Sequence, residues 1–176
     1  NKWFLGEHEE SISLALDTVN EAKELNHMHT EIIAIFILCL IYQLKEDKEN
    51  LSINANRLKN RCTQFGFPLW EIAAKILIHW TKTNESSISQ MEDEIKEWHQ
   101  MGGNLFSSYW LLLQSDKLLE FGNNKDAIAI AQKALSYSEQ WCHLKLYKNL
   151  AYSYKSQGDS INYKLMIERI ESLKED

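Results

Sequence analysis

The chain of 176 residues carries 19 Lys and Arg against 25 Asp and Glu, a net charge of −6, which speaks against a phosphate-tracking nucleic-acid surface. Its length suits one domain and buries about 70% of the unfolded chain's surface. With 44% apolar and 25% charged residues it has the composition of an ordinary soluble globular protein. Proline occurs once, and Gly6, Gly66, Gly102, Gly103, Gly122 and Gly158 all fall between predicted helices. The expected fold class is all-α. No signal-peptide pattern or terminal targeting motif is read from the sequence.

Asn1–Leu5 reads as the end of a helix whose start is missing. With no initiator methionine, the chain is expected to be an excised fragment of a larger protein. Glu7 to Leu25 is the next predicted helix, with Ile12, Ala15, Leu16, Val19 and Ala22 apolar and acidic residues in its first turn, where the helix dipole favours them. Thr30 to Lys45 follows. Its run Ile32–Tyr42 is eleven apolar residues long, too short for a membrane span of about twenty, and reads as a helix buried on nearly all sides. Asn50 to Gln64 carries Leu51, Ile53, Ala55 and Leu58. Gly66-Phe67-Pro68 is a stop, a turn and a proline start. Leu69 to Thr83 comes next, then a turn near residues 84–87, then Ser87 to Met101 with Ile88, Met91, Ile95 and Trp98. Leu105 to Phe121, Lys125 to Tyr137, Gln140 to Gln157 and Ser160 to Lys174 complete the chain. The last helix packs through Tyr163, Ile167 and Ile170, and residues 174–176 are polar and expected to fray.

Little here points to chemistry. Cys39, Cys62 and Cys142 are odd in number and have no CxxC spacing. They read as free thiols in a reducing cytosol, so the expected location is cytoplasmic. Glu92, Asp93, Glu94 and Glu97 read as a solvated helix face, because no histidine stands at ligand spacing. Neither a phosphate loop nor a His-Glu-x-x-His nor a Gly-x-Ser-x-Gly motif occurs. No catalytic residue, metal site or cofactor is assigned, and an enzymatic role for this stretch is the least favoured reading.

One pattern repeats. Tyr147, Leu150, Ala151 and Tyr154 fall at i, i+3, i+4 and i+7, one face of a helix, and Gly158 stops that helix. Asp159 or Ser160 can cap the next. Upstream, Gly122 stops a helix, Asn123 or Asn124 opens another, and Ala127, Ala131 and Ala134 make a small-residue face. Gly6 with Ser11, Ala15 and Thr18 matches those offsets, and Ile35, Leu38, Cys39 and Tyr42 repeat the first pattern. Aromatic-x-x-Leu-Ala-x-x-Tyr-x-x-x-Gly followed by a second helix resembles the tetratricopeptide repeat. The resemblance implies a right-handed α-α superhelix of about four to five hairpins, spanning roughly 1–25, 27–65, 67–101, 104–138 and 139–174, in a single repeat domain.

Five segments resemble one subfamily more closely: Ala22–His27, Tyr42–Asp47, Gly66–Trp70, Ile88–Met91, and Glu97-Trp98 with Gly102. In order and spacing they are similar to the C-terminal repeat region of large bacterial proteins. Those carry a class III adenylate/guanylate cyclase domain and a STAND-type ATPase module upstream, and related repeats end LuxR-type activators. Glu46 stands where that pattern has glycine, His79 where it has a small residue, and the turn near 84–87 is short and lacks its glycine.

In such repeats the first helix of each pair lines the concave side. Three rows of residues are then expected to face a groove: Phe36, Ile76, Leu112 and Lys148; Leu40, Trp80, Asp116 and Tyr152; Ile33, Ala73, Tyr109 and Lys145. The groove is expected to be apolar and to turn basic at the last repeat, with Lys155 adding to that charge. It suits a protein or peptide partner, unless the superhelix or a missing upstream part fills it. Trp80 and Tyr109 are the expected anchors, so Trp80→Ala is expected to weaken binding and leave the fold largely intact. The leading expectation is a regulatory module that senses a protein or peptide and controls upstream domains of its own polypeptide. The alternatives are homodimerisation or scaffolding, or the repeat domain of a LuxR-type regulator. Direct nucleic-acid or membrane binding is not expected.

Overall fold

The computed structural model of the chain describes residues 2 to 175. Among these it is all-helical, with a repeat-like succession of paired helices. A short 3-10 turn at Lys2–Leu5 leads into α1 (His8–Glu24), α2 (Met28–Leu44), α3 (Lys48–Phe65), α4 (Pro68–Thr81) and α5 (Ser86–Gln100). Then come α6 (Ser107–Glu120), α7 (Asn124–Ala134), a 3-10 turn at Gln140–Cys142, α8 (His143–Ser156) and α9 (Ser160–Glu175). The expected end of a helix at Asn1–Leu5 is thus a 3-10 turn, with Asn1 outside the described residues. The fraying expected of residues 174–176 concerns two side chains, Lys174 and Glu175, and a residue, Asp176, that also lie outside them.

The turns explain the succession. After α1, α2, α3, α6 and α8 the chain closes with the same backbone bond, an amide donating to the carbonyl five residues back. The pairs are His27 to Ala22, Asp47 to Tyr42, Phe67 to Cys62, Asn123 to Leu118 and Asp159 to Tyr154, at 2.8–3.1 Å. This is the Schellman arrangement, which needs one residue in the left-handed region. Gly66 takes it at φ 74° and caps α3. Glu46 takes it at φ 58°, although a side chain there is disfavoured. The geometry of the turn is therefore kept where glycine is missing. Three of the helices that follow these turns open on a carboxylate or amide cap. Asp47 accepts from the Asn50 amide at 3.1 Å, Asn123 from the Asp126 amide at 3.3 Å, and Asp159 from the Asn162 amide at 3.1 Å. Those bonds hold the Asp47 and Asp159 carboxyls below the usual carboxylate range, with the Asn50 and Asn162 side chains as the largest cause.

Two compact units result, Asn1–Thr83 with Lys96–Met101, and Asn84–Ile95 with Gly102–Asp176. In the first, α1 packs on α2, α2 on α3 and α3 on α4, and α2 also touches α4. In the second, α6 packs on α7, α7 on α8 and α8 on α9, and α6 also touches α8. Contact between alternate helices is how stacked hairpins bury a continuous core. The small face Ala127, Ala131 and Ala134 is buried, as are Leu150, Ala151 and Tyr154 of α8. Elsewhere the packed faces differ from expectation. Leu16 and Thr18 of α1 are exposed, and α1 rests on Ser11, Ala15, Val19 and Ala22. Ile53 is 61% exposed, and Asn54 and Cys62 take its place in the core side of α3. Ser87 is buried where Ile88 is only half-buried, and in α9 only Ile170 of the three expected residues is buried. Hydropathy orders residues by type; a helix packed along one narrow face leaves some large apolar side chains outside it.

Helix α6 starts differently. Its N-cap residue, Phe106, has φ 64° and no capping side chain. Glu139, from the segment before α8, reaches over instead: its carboxylate accepts from the Ser107 amide at 3.1 Å and the Ser108 amide at 2.7 Å. A carboxylate at a helix N-terminus satisfies two orphan donors and meets the positive end of the dipole. Glu139→Ala is expected to lower stability by about 1–2 kcal/mol, and Leu150→Ala by about 2–5 kcal/mol, while Ile161→Ala, at a position 83% exposed, changes it little. Urea denaturation of the three variants checks this; an unchanged midpoint for Leu150→Ala would place the packed face of α8 wrongly.

Candidate functional site

The twelve residues of the expected groove fall into two sets. Phe36, Ala73, Ile76 and Trp80 of the first unit are buried, and so are Tyr109 and Leu112 of the second. Phe36 packs its ring 4.9 Å from that of Trp70. Tyr109 stands 5.1 Å from each of Trp110 and Trp141. The Lys48 ammonium lies 5.5 Å from the Trp80 ring centre, and the indole is only 5% exposed. Ile33 and Leu40 are half-buried. The apolar rows are therefore covered by the chain itself, and neither Trp80 nor Tyr109 presents a face to a partner.

Asp116 is half-buried and bound within the second unit. Asn149 of α8 donates to its carboxylate at 2.7 Å and to the Ser115 hydroxyl at 3.4 Å, and Ser115 in turn donates to the Ala127 carbonyl at 3.3 Å. These bonds cross from α6 to α8 and to α7. They fix α8 about its own axis, because a buried amide that turned away would leave polar groups unmet.

That rotation decides what α8 presents. Lys145, Lys148 and Tyr152 are exposed, at i, i+3 and i+7 of one face. Two further exposed residues continue the line, Trp141 one turn before and Lys155 one turn after. Trp141 lay outside the expected rows, which begin at Lys145 in this repeat, and stands in a 3-10 turn ahead of the helix. Tyr152 is 60% exposed and Trp141 39%. α8 contains three lysines and no carboxylate. The stripe is thus aromatic, basic and fixed by a buried network behind it.

A second basic group lies in the first unit. His79 is half-buried, and the Lys82 ammonium stands 3.3 Å from its Nδ1. Burial first, then the charges of Lys82, Lys75 and Lys59, push the imidazole down to about 4. The thiols go the other way. Cys39, Cys62 and Cys142 are buried; burial raises all three, Cys62 and Cys142 to about 12, far from a reactive thiolate. Among the described residues no three His, Cys, Asp or Glu side chains converge as metal ligands, and no helix is long and apolar enough to cross a membrane.

No family model matches the chain, and no curated protein matches it.

Two outcomes are expected. Trp80→Ala, expected from sequence to spare the fold, removes a buried side chain and is expected to cost about 3–5 kcal/mol; thermal melting reads it directly. His79 binds its proton more weakly folded than unfolded, so the stability it contributes is complete above about pH 6.5 and is lost as the pH falls toward 4. Urea midpoints at pH 7 and pH 5 should fall further apart in the parent chain than in His79→Gln. Equal falls would mean that the ring is not held neutral by its burial and the charges of Lys82, Lys75 and Lys59.

Proposed function

We propose that this chain is a non-catalytic binding module that takes an acidic protein or peptide segment along α8. The observation that carries the reading is the stripe of Trp141, Lys145, Lys148, Tyr152 and Lys155, exposed together on a helix without carboxylates in a chain of net charge −6. Trp and Tyr are enriched in interface hot spots, and the lysines between them offer charge complementary to an acidic partner. The spacing 4, 3, 4, 3 follows a heptad seam and favours a helical partner whose own seam carries acidic residues. The buried row of α6, which packs against α8 within the same unit, contributes rigidity to this surface and no contact area.

The finer reading rests on residue patterns. The repeated first-helix motif of Tyr147, Leu150, Ala151, Tyr154 and Gly158 supports tetratricopeptide-like hairpins stacked as a right-handed superhelix. The segments around Gly66–Trp70 and Glu97–Gly102 support a regulatory C-terminal repeat region of a cytoplasmic bacterial signalling protein with cyclase or STAND ATPase domains. In that setting the α8 partner is an upstream domain of the same polypeptide or a separate protein. A second reading, self-association, is favoured by Ile161 and Leu165, both exposed one turn apart on α9.

Peptides selected by phage display against the immobilised chain test the first reading. They should be acidic, bind less well as salt rises, and lose about tenfold in affinity for Lys148→Glu with Tyr152→Ala, about 1.4 kcal/mol. Binding that ignores those two changes would overturn it. Sedimentation across a concentration series tests the second: a dimer that weakens in Ile161→Asp supports it, and a monomer throughout excludes it.

A further inference from the structure

The acidic helical seam that α8 calls for is present in the chain itself. Glu10, Leu14, Asp17, Glu21 and Glu24 of α1 are all exposed. Their spacings of 4, 3, 4 and 3 bring them to one side of the helix. Ser11, Ala15, Val19 and Ala22 are buried on the other side, where α1 packs on α2. Leu14 stands 54% exposed between Glu10 and Asp17. Glu10 is held by Lys2 at 2.7 Å. Among the described residues no ion pair takes up Asp17, Glu21 or Glu24. Like charges three and four residues apart weaken a helix on its own, so the row does not serve the fold of α1.

The α8 row of Trp141, Lys145, Lys148, Tyr152 and Lys155 has the same spacings. Laid antiparallel, the two rows stay level to within the rise of one residue, about 1.5 Å. Asp17 then faces Lys148, Glu21 faces Lys145 and Glu10 faces Lys155, while Leu14 meets Tyr152. At the end of the row Glu24, with Leu25 exposed beside it, comes against Trp141. Laid parallel, Leu14 would face Lys145 and Glu21 would face Tyr152, and only Asp17 and Glu24 would keep a lysine opposite. Charge and apolar contact thus select the antiparallel register. Lys155 lies 5.8 Å from the Tyr163 ring centre, where it keeps its charge, and Lys145 also interacts within its own chain. Asp17 with Lys148, at the centre of both rows, is therefore the pair that the register depends on most.

We propose, on the reading of α8 given above, that its partner is α1 of a second copy of this chain, docked antiparallel. α1 belongs to the first unit and α8 to the second, so a copy that gives one row to a neighbour still has the other to offer. Such a contact closes on itself or propagates from copy to copy. One helix laid on another buries little surface, and exposed charges are screened by salt, so the association is weak and salt-sensitive.

The test is sedimentation equilibrium of the whole 176-residue chain at concentrations up to about 1 mM, the weak end of the affinity scale, in low and in high salt. The mean mass should rise with concentration at low salt and return toward that of the monomer at high salt. Asp17→Lys and Lys148→Glu should each weaken association at least about tenfold, with melting temperatures close to the parent's, since both positions are exposed. An equimolar mixture of the two variants should associate as the parent does, because each supplies the charge that the other now needs. The chain carrying both changes should do the same, and Ile161→Asp should change nothing. A chain monomeric at every concentration overturns the proposal. So does association that Asp17→Lys leaves untouched, a mixture that does not recover, or loss of association in Ile161→Asp, which would move the contact to α9. The reading of α8 fails separately. Acidic peptides that still bind, and still lose affinity for Lys148→Glu with Tyr152→Ala, while the chain stays monomeric would keep α8 as the surface and remove only the second copy as its partner.

Discussion

The turn between helices is the constraint on which this structure depends. An amphipathic helix cannot bury its apolar face alone, so each must be brought back against its neighbour within two or three residues. The closing bond from the amide to the carbonyl five residues back does this five times, from His27 to Asp159. It demands a left-handed residue each time, which Asn26, Glu46, Gly66, Gly122 and Gly158 provide. Two of the other joins differ visibly. After α4 the chain leaves through Lys82 in an extended conformation. After α7 it passes through residues 135–139 and a 3-10 turn, and Glu139 from that segment becomes the external cap of α6. An irregular join thus places a side chain that a tight turn could not.

This is also why the fold was more legible than the site. Glycine and the Asx residues after it mark turns by a physical need, so helix ends at Gly66, Gly122 and Gly158 followed from the sequence. Glu46, at the pattern's glycine position, and Asn26 do the same work without a glycine, and their left-handed conformation is seen only in the backbone. Faces were read less well, since hydropathy gives preference for burial and not the direction of a neighbour. Ile53 and Asn54 are adjacent, and the polar one is buried. Asn54 can be, because its amide donates to the Asn50 carbonyl at 2.9 Å, a possibility no hydropathy scale records.

For the groove rows the reason for the difference in burial is of another kind. Its rows were generated by counting along regular repeats, and counting gives positions on a helix. Whether a position is open depends on what the rest of the chain lays over it. Phe36, Ile76, Trp80, Tyr109 and Leu112 are the large apolar members, and burial releases about 25 cal/mol per Å2 of their surface, so a chain able to cover them does. Lys145, Lys148 and Tyr152 are at equivalent counts and remain exposed. Desolvating an ammonium costs more than the stem gains unless it is paired.

The same cost gives the half-buried lysines their interest. An ammonium in full water attracts an anion weakly, because solvent screens both. Lys59, Lys75 and Lys82 stand half-buried around His79, whose imidazole is pushed down by burial first and then by their charges. Lys117 marks the opposite extreme. It is fully buried, its ammonium is 2.8 Å from Glu120 and 5.5 Å from the Phe121 ring centre, and its charge is spent within the chain. Between a lysine fully in water and one fully enclosed lies the narrow range in which a cation is strong enough to hold a ligand and open enough to meet one. The lysines of α8 lie nearer to water and depend on Trp141 and Tyr152 for the rest of their affinity.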